Sequence, residues 1–243
     1  MTALRIFHVD DEPDIREVVD LSLGLDPVFA VRSFDGGRSA VAAALDGPPD
    51  LMLIDVMMPG MDGPATLASL RRTPQTADIP VVFMTARAET QEIERLKALG
   101  AAGVIAKPFD PMTLAAAVRS QFHAVGPAAL RTGFMARLRD DVNGLVARRC
   151  DMHRDAASSA AVRVELKAFA RALRGAADVL GLDDLGALAD RLARAVTASM
   201  NGAGSLDDVD RALDALLAAI RPAVPAAPAG HDGRYSISAA SRT

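Results

Sequence analysis

The chain reads as an α/β domain followed by an all-α domain: a five-stranded parallel, doubly wound sheet, then an up-down four-helix bundle. Three observations predict this. Over the first half, short apolar runs alternate one for one with helical patterns, which implies a parallel sheet covered on both faces. After His123 the strand signal stops and only long helical periodicities follow. At 243 residues, the chain exceeds the usual size of one domain. The expected division is 1–124 for the α/β domain, 125–221 for the bundle and 222–243 for a disordered tail rich in Pro, Ala, Gly and Ser.

The predicted strands are LRIFHV (4–9), VFAVRS (28–33), LMLI (51–54), IPVVFM (79–84) and GVIA (103–106). Helices are predicted near 13–24, 37–46, 64–72, 89–99 and 111–123. Pro13, Pro64 and Pro111 stand early in them, and Gly24, Gly47 and Gly100 stand at or near their ends. Gly126 and Pro127 make a short linker. Beyond it, amphipathic patterns run over about 128–149, 158–181, 183–200 and 205–221. Asp183 and Ser205 fit as N-caps and Asn201-Gly202 as a helix stop. Short connections between such helices give an up-down bundle.

Composition narrows the function. Half the residues are hydrophobic, and the net charge is −4. No block of basic residues is interleaved with aromatics, which argues against a nucleic-acid surface. The single cysteine, Cys150, leaves no internal disulfide and fits a reducing compartment, where it is expected as a buried spectator thiol. The segment MTALRIFHVDDE lacks the features of a signal peptide, and no charge-free stretch approaches the roughly 20 residues of a membrane span. A cytoplasmic protein without membrane contact is expected. His123, His153 and His231 are read as plain surface residues.

The predicted strands end in chemistry. Asp10 and Asp11 follow the first, Asp55 the third, Thr85 the fourth and Lys107 the fifth. In an open parallel sheet, the carboxyl ends of the strands border the crevice where ligands bind. Three clustered carboxylates repel one another unless a cation intervenes. Oxygen ligands favour a hard ion, and Mg²⁺ suits a site that also meets a phosphate. Lysine and threonine would hold phosphoryl oxygens, and an acceptor carboxylate would form an acyl phosphate. A lone Asp-Asp pair is usually a helix cap or a solvated turn. Five such positions at four strand ends are harder to dismiss.

The motifs VDDEPDIRE (9–17), LMLIDVMMPGMDG (51–63), VVFMTAR (81–87) and GAAGVIAKPFDP (100–111) resemble those of response-regulator receiver domains over residues 3–124. The resemblance implies a flavodoxin-like, CheY-like sheet of order 2-1-3-4-5. It implies Asp55 as phosphoacceptor, and Mg²⁺ held by Asp10, Asp11, Asp55 and the backbone carbonyl of Met57. Thr85 would be the switch hydroxyl, and Lys107, before a cis bond to Pro108, would pair with the phosphoryl group. The phosphodonor would be a sensor histidine kinase or a histidine phosphotransfer protein. The protein would be no enzyme beyond its own phosphorylation and dephosphorylation. Val104 departs from the family, which usually has an aromatic residue there.

In the bundle, RALRGAADVLG (171–181) resembles the motif of histidine phosphotransfer (HPt) domains, with Leu173, Arg174, Gly175, Ala176, Ala177 and Gly181 in frame. Arg171 occupies the place of the phosphorylated histidine. A guanidinium stays protonated and forms no phosphoramidate, so the resemblance implies docking without transfer. Arg163, Lys167, Arg171 and Arg174 are spaced to form one basic stripe. Gly175 leaves bare backbone beside Arg171. That stripe suits the acidic crevice of a receiver, the chain's own or another protein's. The expected function is therefore a two-component or phosphorelay response regulator with output by protein–protein interaction. The alternative is a receiver carrying a generic dimerisation or effector bundle unrelated to HPt domains.

Overall fold

A computed structural model describes residues 3–125 and 127–220, without the side chains of 123–125, 127–133 and 136. The expected tail at 222–243, His231 and linker residue Gly126 lie outside the described residues. Strands β1 (Leu4–Val9), β2 (Phe29–Phe34), β3 (Leu51–Asp55), β4 (Val81–Thr85) and β5 (Gly103–Ala106) form one parallel sheet of order 2-1-3-4-5. Helices α1 (Pro13–Gly24), α2 (Gly37–Asp46), α3 (Gly63–Arg71), α4 (Thr90–Ala98) and α5 (Pro111–Val125) alternate with the strands. Every residue of β3 and β4 is buried, as expected of central strands covered on both faces.

The two-residue period of the strands sorts side chains between two cores. Leu4, Ile6, Leu51, Leu53, Val82 and Met84 face α1 and α5, where Val19, Leu23, Leu114, Val118 and Phe122 close over them. Phe7, Val9, Met52, Ile54, Val81 and Phe83 face α2, α3 and α4. Strand β2 begins one residue later than the apolar run predicts, and β4 begins at Val81 rather than Ile79.

The second half is helical: α6 (Pro127–Ala147), α7 (Arg149–Met152), α8 (Ala156–Val179), α9 (Asp183–Met200) and α10 (Leu206–Ile220). Four long helices are present, as the periodicity predicts, with the one-turn α7 added where α6 was expected to continue to 149. Asp155 caps α8, its carboxylate accepting from the Ser158 backbone and hydroxyl. Ser205 caps α10 as expected, accepting from Asp208 N–H at 3.2 Å. Asn201 ends α9, and Gly202 turns away with φ 73°. Asp183 is not a cap. The chain turns at Gly181, Leu182 accepts from the Gly186 N–H, and so Leu182 is the cap and Asp183 the first helical residue. Nor is Cys150 buried. It sits on α7, whose single turn buries only Met152.

The bundle is seated on the sheet's amino-terminal edge. One apolar cluster runs from the α1–α5 face into the bundle. Gly175 of α8 faces Val28, the residue before β2; a Cβ built on Gly175 would lie 2.2 Å from Val28 Cγ2. The bare backbone beside Arg171 is thus covered by the chain's own α/β domain. Arg137 of α6 pairs through both carboxylate oxygens with Asp50, the buried residue before β3, which also accepts from Arg5 N–H at 2.8 Å.

Candidate functional site

The opposite edge gathers the expected chemistry. Asp10 follows β1, Asp55 and Thr85 end β3 and β4, and Lys107 follows β5. Asp10 is fully buried, and Asp55 is 7% exposed. The Lys107 ammonium bridges them, 2.5 Å from Asp10 Oδ2 and 2.6 Å from Asp55 Oδ1. Its peptide bond to Pro108 is cis.

Local backbone fixes each carboxylate. Glu12 N–H donates to Asp10 Oδ1 and Met57 N–H donates to Asp55 Oδ2. The Arg16 guanidinium donates to the carbonyls of Asp10 and Asp11, at 2.7 and 2.9 Å, tying the β1–α1 turn to the helix. After β3, Asp62 caps α3, and Gly63 passes so close to the strand end that a Cβ there would meet the Asp55 carbonyl at 2.5 Å. Only glycine lets α3 begin under Asp55 in this way. Thr85 is buried, its hydroxyl accepting from Arg87 N–H at 3.0 Å.

The electrostatics follow from burial and pairing. Burial pushes the Asp55 carboxyl above the usual carboxylate range, against the pull of Lys107. Burial opposes charge on Lys107, but its bonds to Asp10 and Asp55 prevail and hold its pKa above the ordinary lysine value. The donors that the receiver resemblance implies, the carboxylates of Asp10, Asp11 and Asp55 and the backbone carbonyl of Met57, are all oxygens. Such donors suit Mg²⁺. Among the described residues, no three acidic, histidine or cysteine side chains stand together as a metal-binding group, and Lys107 is the cation between Asp10 and Asp55.

Sequence reasoning missed His8. This residue is fully buried, on the α1–α5 side of β1. Ser33 Oγ donates to Asp20 at 2.6 Å, so the 3.2 Å contact of His8 Nδ1 with Ser33 makes Nδ1 the proton carrier. Nε2 is therefore a bare acceptor, without a hydrogen-bond partner and 3.9 Å from Asp10 Oδ2. Burial lowers the His8 pKa to about 4. The only signal was a histidine in the buried register of a strand, two residues before Asp10.

The basic stripe of α8 is not uniform. Arg163 donates to the Ser199 carbonyl, and Arg174 pairs with Asp190 at 3.1 Å. Arg171 is exposed, at a groove between α8 and α9, and Lys167 is half-buried. His153 is a surface residue, as expected, and its Nε2 lies 2.8 Å from Asp210, which Arg149 also holds.

Residues 6–119, just under half of the chain, match the family model of the response regulator receiver domain. The phosphate regulon transcriptional regulatory protein PhoB of Escherichia coli is 40% identical over 131 residues, covering 53% of this chain and 56% of that protein. The transcriptional regulatory protein CseB of Streptomyces avermitilis is 35% identical over 126 residues, covering 50% of this chain and 52% of its own. The chain thus spans about half the length of these curated relatives. The solved chemotaxis protein CheY4 of Vibrio cholerae is 30% identical, with a TM-score of 0.45, and covers 49% of this chain and 98% of that one. Among the described residues, no helix is long and apolar enough to cross a membrane.

Proposed function

We propose that this protein, whose residues 6–119 match the response regulator receiver domain, is phosphorylated on Asp55 within a two-component system and signals through contacts made by its helical bundle. The observation that carries the first half is the Lys107 bridge between Asp10 and Asp55 at the strand ends. In the proposed step an Asp55 oxygen attacks the phosphorus of a phosphohistidine on a sensor kinase or HPt protein. The P–N bond breaks, and the imidazole nitrogen keeps the electron pair. Lys107 exchanges a carboxylate partner for phosphoryl oxygens, and Thr85 gives up its contact with Arg87 to bind the same group. Asp10, Asp11, Asp55 and the Met57 carbonyl would hold Mg²⁺, which supplies neutralisation of charge on the incoming phosphoryl group. The domain limits 1–124, 125–221 and 222–243 belong to this reading, as does the absence of catalysis beyond the receiver's own.

The test is labelling by acetyl phosphate with Mg²⁺, read by intact mass. The wild-type chain gains one phosphoryl group and Asp55→Ala gains none; equal labelling of the variant defeats the assignment.

For the output, Arg171 supports an HPt-like docking surface, since it is exposed within the motif 171–181. The partner would be the receiver of another chain. The chain's own crevice lies at the far edge of the sheet from Gly175. The second reading, a generic effector or dimerisation bundle, is favoured by the cover that Val28 places on Gly175 and by the internal ties of Arg163 and Arg174. The mass of the full chain by size exclusion with light scattering separates them: a stable dimer supports the second.

A further inference from the structure

The open groove between α8 and α9 is lined by Arg171, Asp190, Arg194, Thr197 and Asn201 together with Ala193 and Ala198, and has a volume of about 410 Å³. The two helices run antiparallel across a three-residue turn, so the contacts of α8 with α9 form a ladder. One end of the ladder is closed by Arg163 on the Ser199 carbonyl. The other is closed by Arg174 on Asp190 at 3.1 Å, which uses the one carboxylate of the lining. Between these rungs stand Arg171 and Arg194, both exposed. Among the described residues neither guanidinium has an ion-pair or hydrogen-bond partner. Nor has Lys167, one turn before Arg171 on the same helix. Two unpartnered guanidiniums thus line the groove with a hydroxyl and an amide, while its one carboxylate is paired with Arg174.

We propose that this groove is an oxyanion site, which takes a phosphoryl group borne on a protein partner. The guanidinium forks match the geometry of phosphoryl oxygens, and Thr197 and Asn201 add neutral donors. The groove is open along the helix faces, so a group projecting from another protein can enter it without either helix moving. Arg194 was not part of the stripe read from the sequence, because it lies on a different helix. The site makes the bundle a reader of phosphorylation rather than a carrier. It rests on the reading of the bundle as the output surface but not on phosphorylation of Asp55.

The experiment uses the full chain with Asp55→Ala, in Mg²⁺-free buffer so that the receiver crevice is out of play. Amide NMR spectra are followed during titration with inorganic phosphate and, separately, with a short phosphoserine peptide and its unphosphorylated form. Saturable shifts centred on Arg171, Arg194, Thr197 and Asn201 are expected, with the phosphopeptide at least threefold tighter than inorganic phosphate. Arg171→Ala and Arg194→Ala should each weaken binding at least fivefold. Arg191→Ala, an exposed position outside the groove lining, should leave it unchanged. Absent or unsaturable shifts, or equal loss in all three variants, overturn the site. Inorganic phosphate binding as tightly as the phosphopeptide overturns the protein-borne ligand. The labelling test of Asp55 is independent of every one of these outcomes.

Discussion

Gly175 offers a direct test of how the bundle is seated. In an exposed helix interior, Gly→Ala stabilises by about 0.5–1 kcal/mol, because glycine has more backbone freedom to lose on folding. Gly144 on α6 shows the simple case: a Cβ there meets nothing within 4 Å, so Gly144→Ala should raise stability by about that amount. At Gly175 the same methyl would lie 2.2 Å from Val28 Cγ2, and Val28 is only 4% exposed, so it has little room to retreat. Overpacking of this kind costs about 1–3 kcal/mol, which offsets the helix term and leaves Gly175→Ala neutral to about 2 kcal/mol destabilising. Val28→Ala alone removes two buried methyl groups and should cost about 1.6 kcal/mol, taking about 0.8 for each. In the double variant the new methyl occupies the space that Val28 vacates. A favourable coupling of at least about 1 kcal/mol is therefore expected. The assay is urea unfolding of the full chain for the single and double variants, with Gly144→Ala as control. If Gly175→Ala stabilises as Gly144→Ala does, or the two sites are additive, Val28 does not rest on Gly175 and the seating is wrong.

Two further outcomes are expected. Arg137→Ala leaves the buried Asp50 carboxylate with only the Arg5 N–H, so stability should fall by about 3 kcal/mol, whereas Arg137→Met with Asp50→Asn should lose clearly less; equal losses in thermal melts would refute a buried ion pair. The Asp208 carboxyl is pulled down to about 2 by the Ser205 backbone N–H and hydroxyl, with Arg211 helping. A depressed carboxyl stabilises above its unfolded pKa, near 3.9, and that stabilisation is lost as pH falls through about 2. Wild type should therefore exceed Asp208→Asn in denaturant midpoint above about pH 4 and converge with it near pH 2, and a pH-independent gap would refute the cap geometry.

What the sequence disclosed was what is local or periodic. The strand runs place Asp10, Asp55, Thr85 and Lys107 at strand ends because a strand's end follows from its own apolar length and the turn after it. The same logic finds the helices, since Leu166, Phe169, Leu173 and Ala177 repeat on one face of α8 and are buried there. Features that depend on a distant segment were not legible. The Val28–Gly175 and Asp50–Arg137 contacts join residues far apart in the chain, and Gly175 gave no sign whether its bare backbone served a partner or the chain itself. Arg163 and Arg174 read as stripe residues because spacing reports direction, not what α9 offers them. Cys150 read as buried because no neighbour in sequence would activate its thiol, but the single turn of α7 leaves it exposed. Val104 shows a subtler limit: it packs, half-buried, on the α2–α4 side of the sheet, and its smallness is visible only against the family habit.

The seating has a consequence for how phosphorylation can reach the bundle. Asp55 ends β3, and Asp50, which holds Arg137, immediately precedes it. Five residues of parallel strand separate the two poles by roughly 16 Å. Arg171 lies one turn from Gly175 along α8, so it stays near the amino-terminal pole and cannot enter the crevice of its own receiver. On the proposed reading, attraction between the basic groove and a receiver crevice would then be satisfied between chains. A signal within one chain has to travel along elements that run from pole to pole. β3 is rigid, buried at every position and hydrogen-bonded on both sides. Helix α5 is better suited: it begins four residues after Lys107, ends beside the bundle, and meets α8 directly. A shift of Lys107 from Asp10 to a phosphoryl group would pull on the start of α5 and be felt at its far end, where Phe122 and Val118 belong to the apolar cluster shared with the bundle.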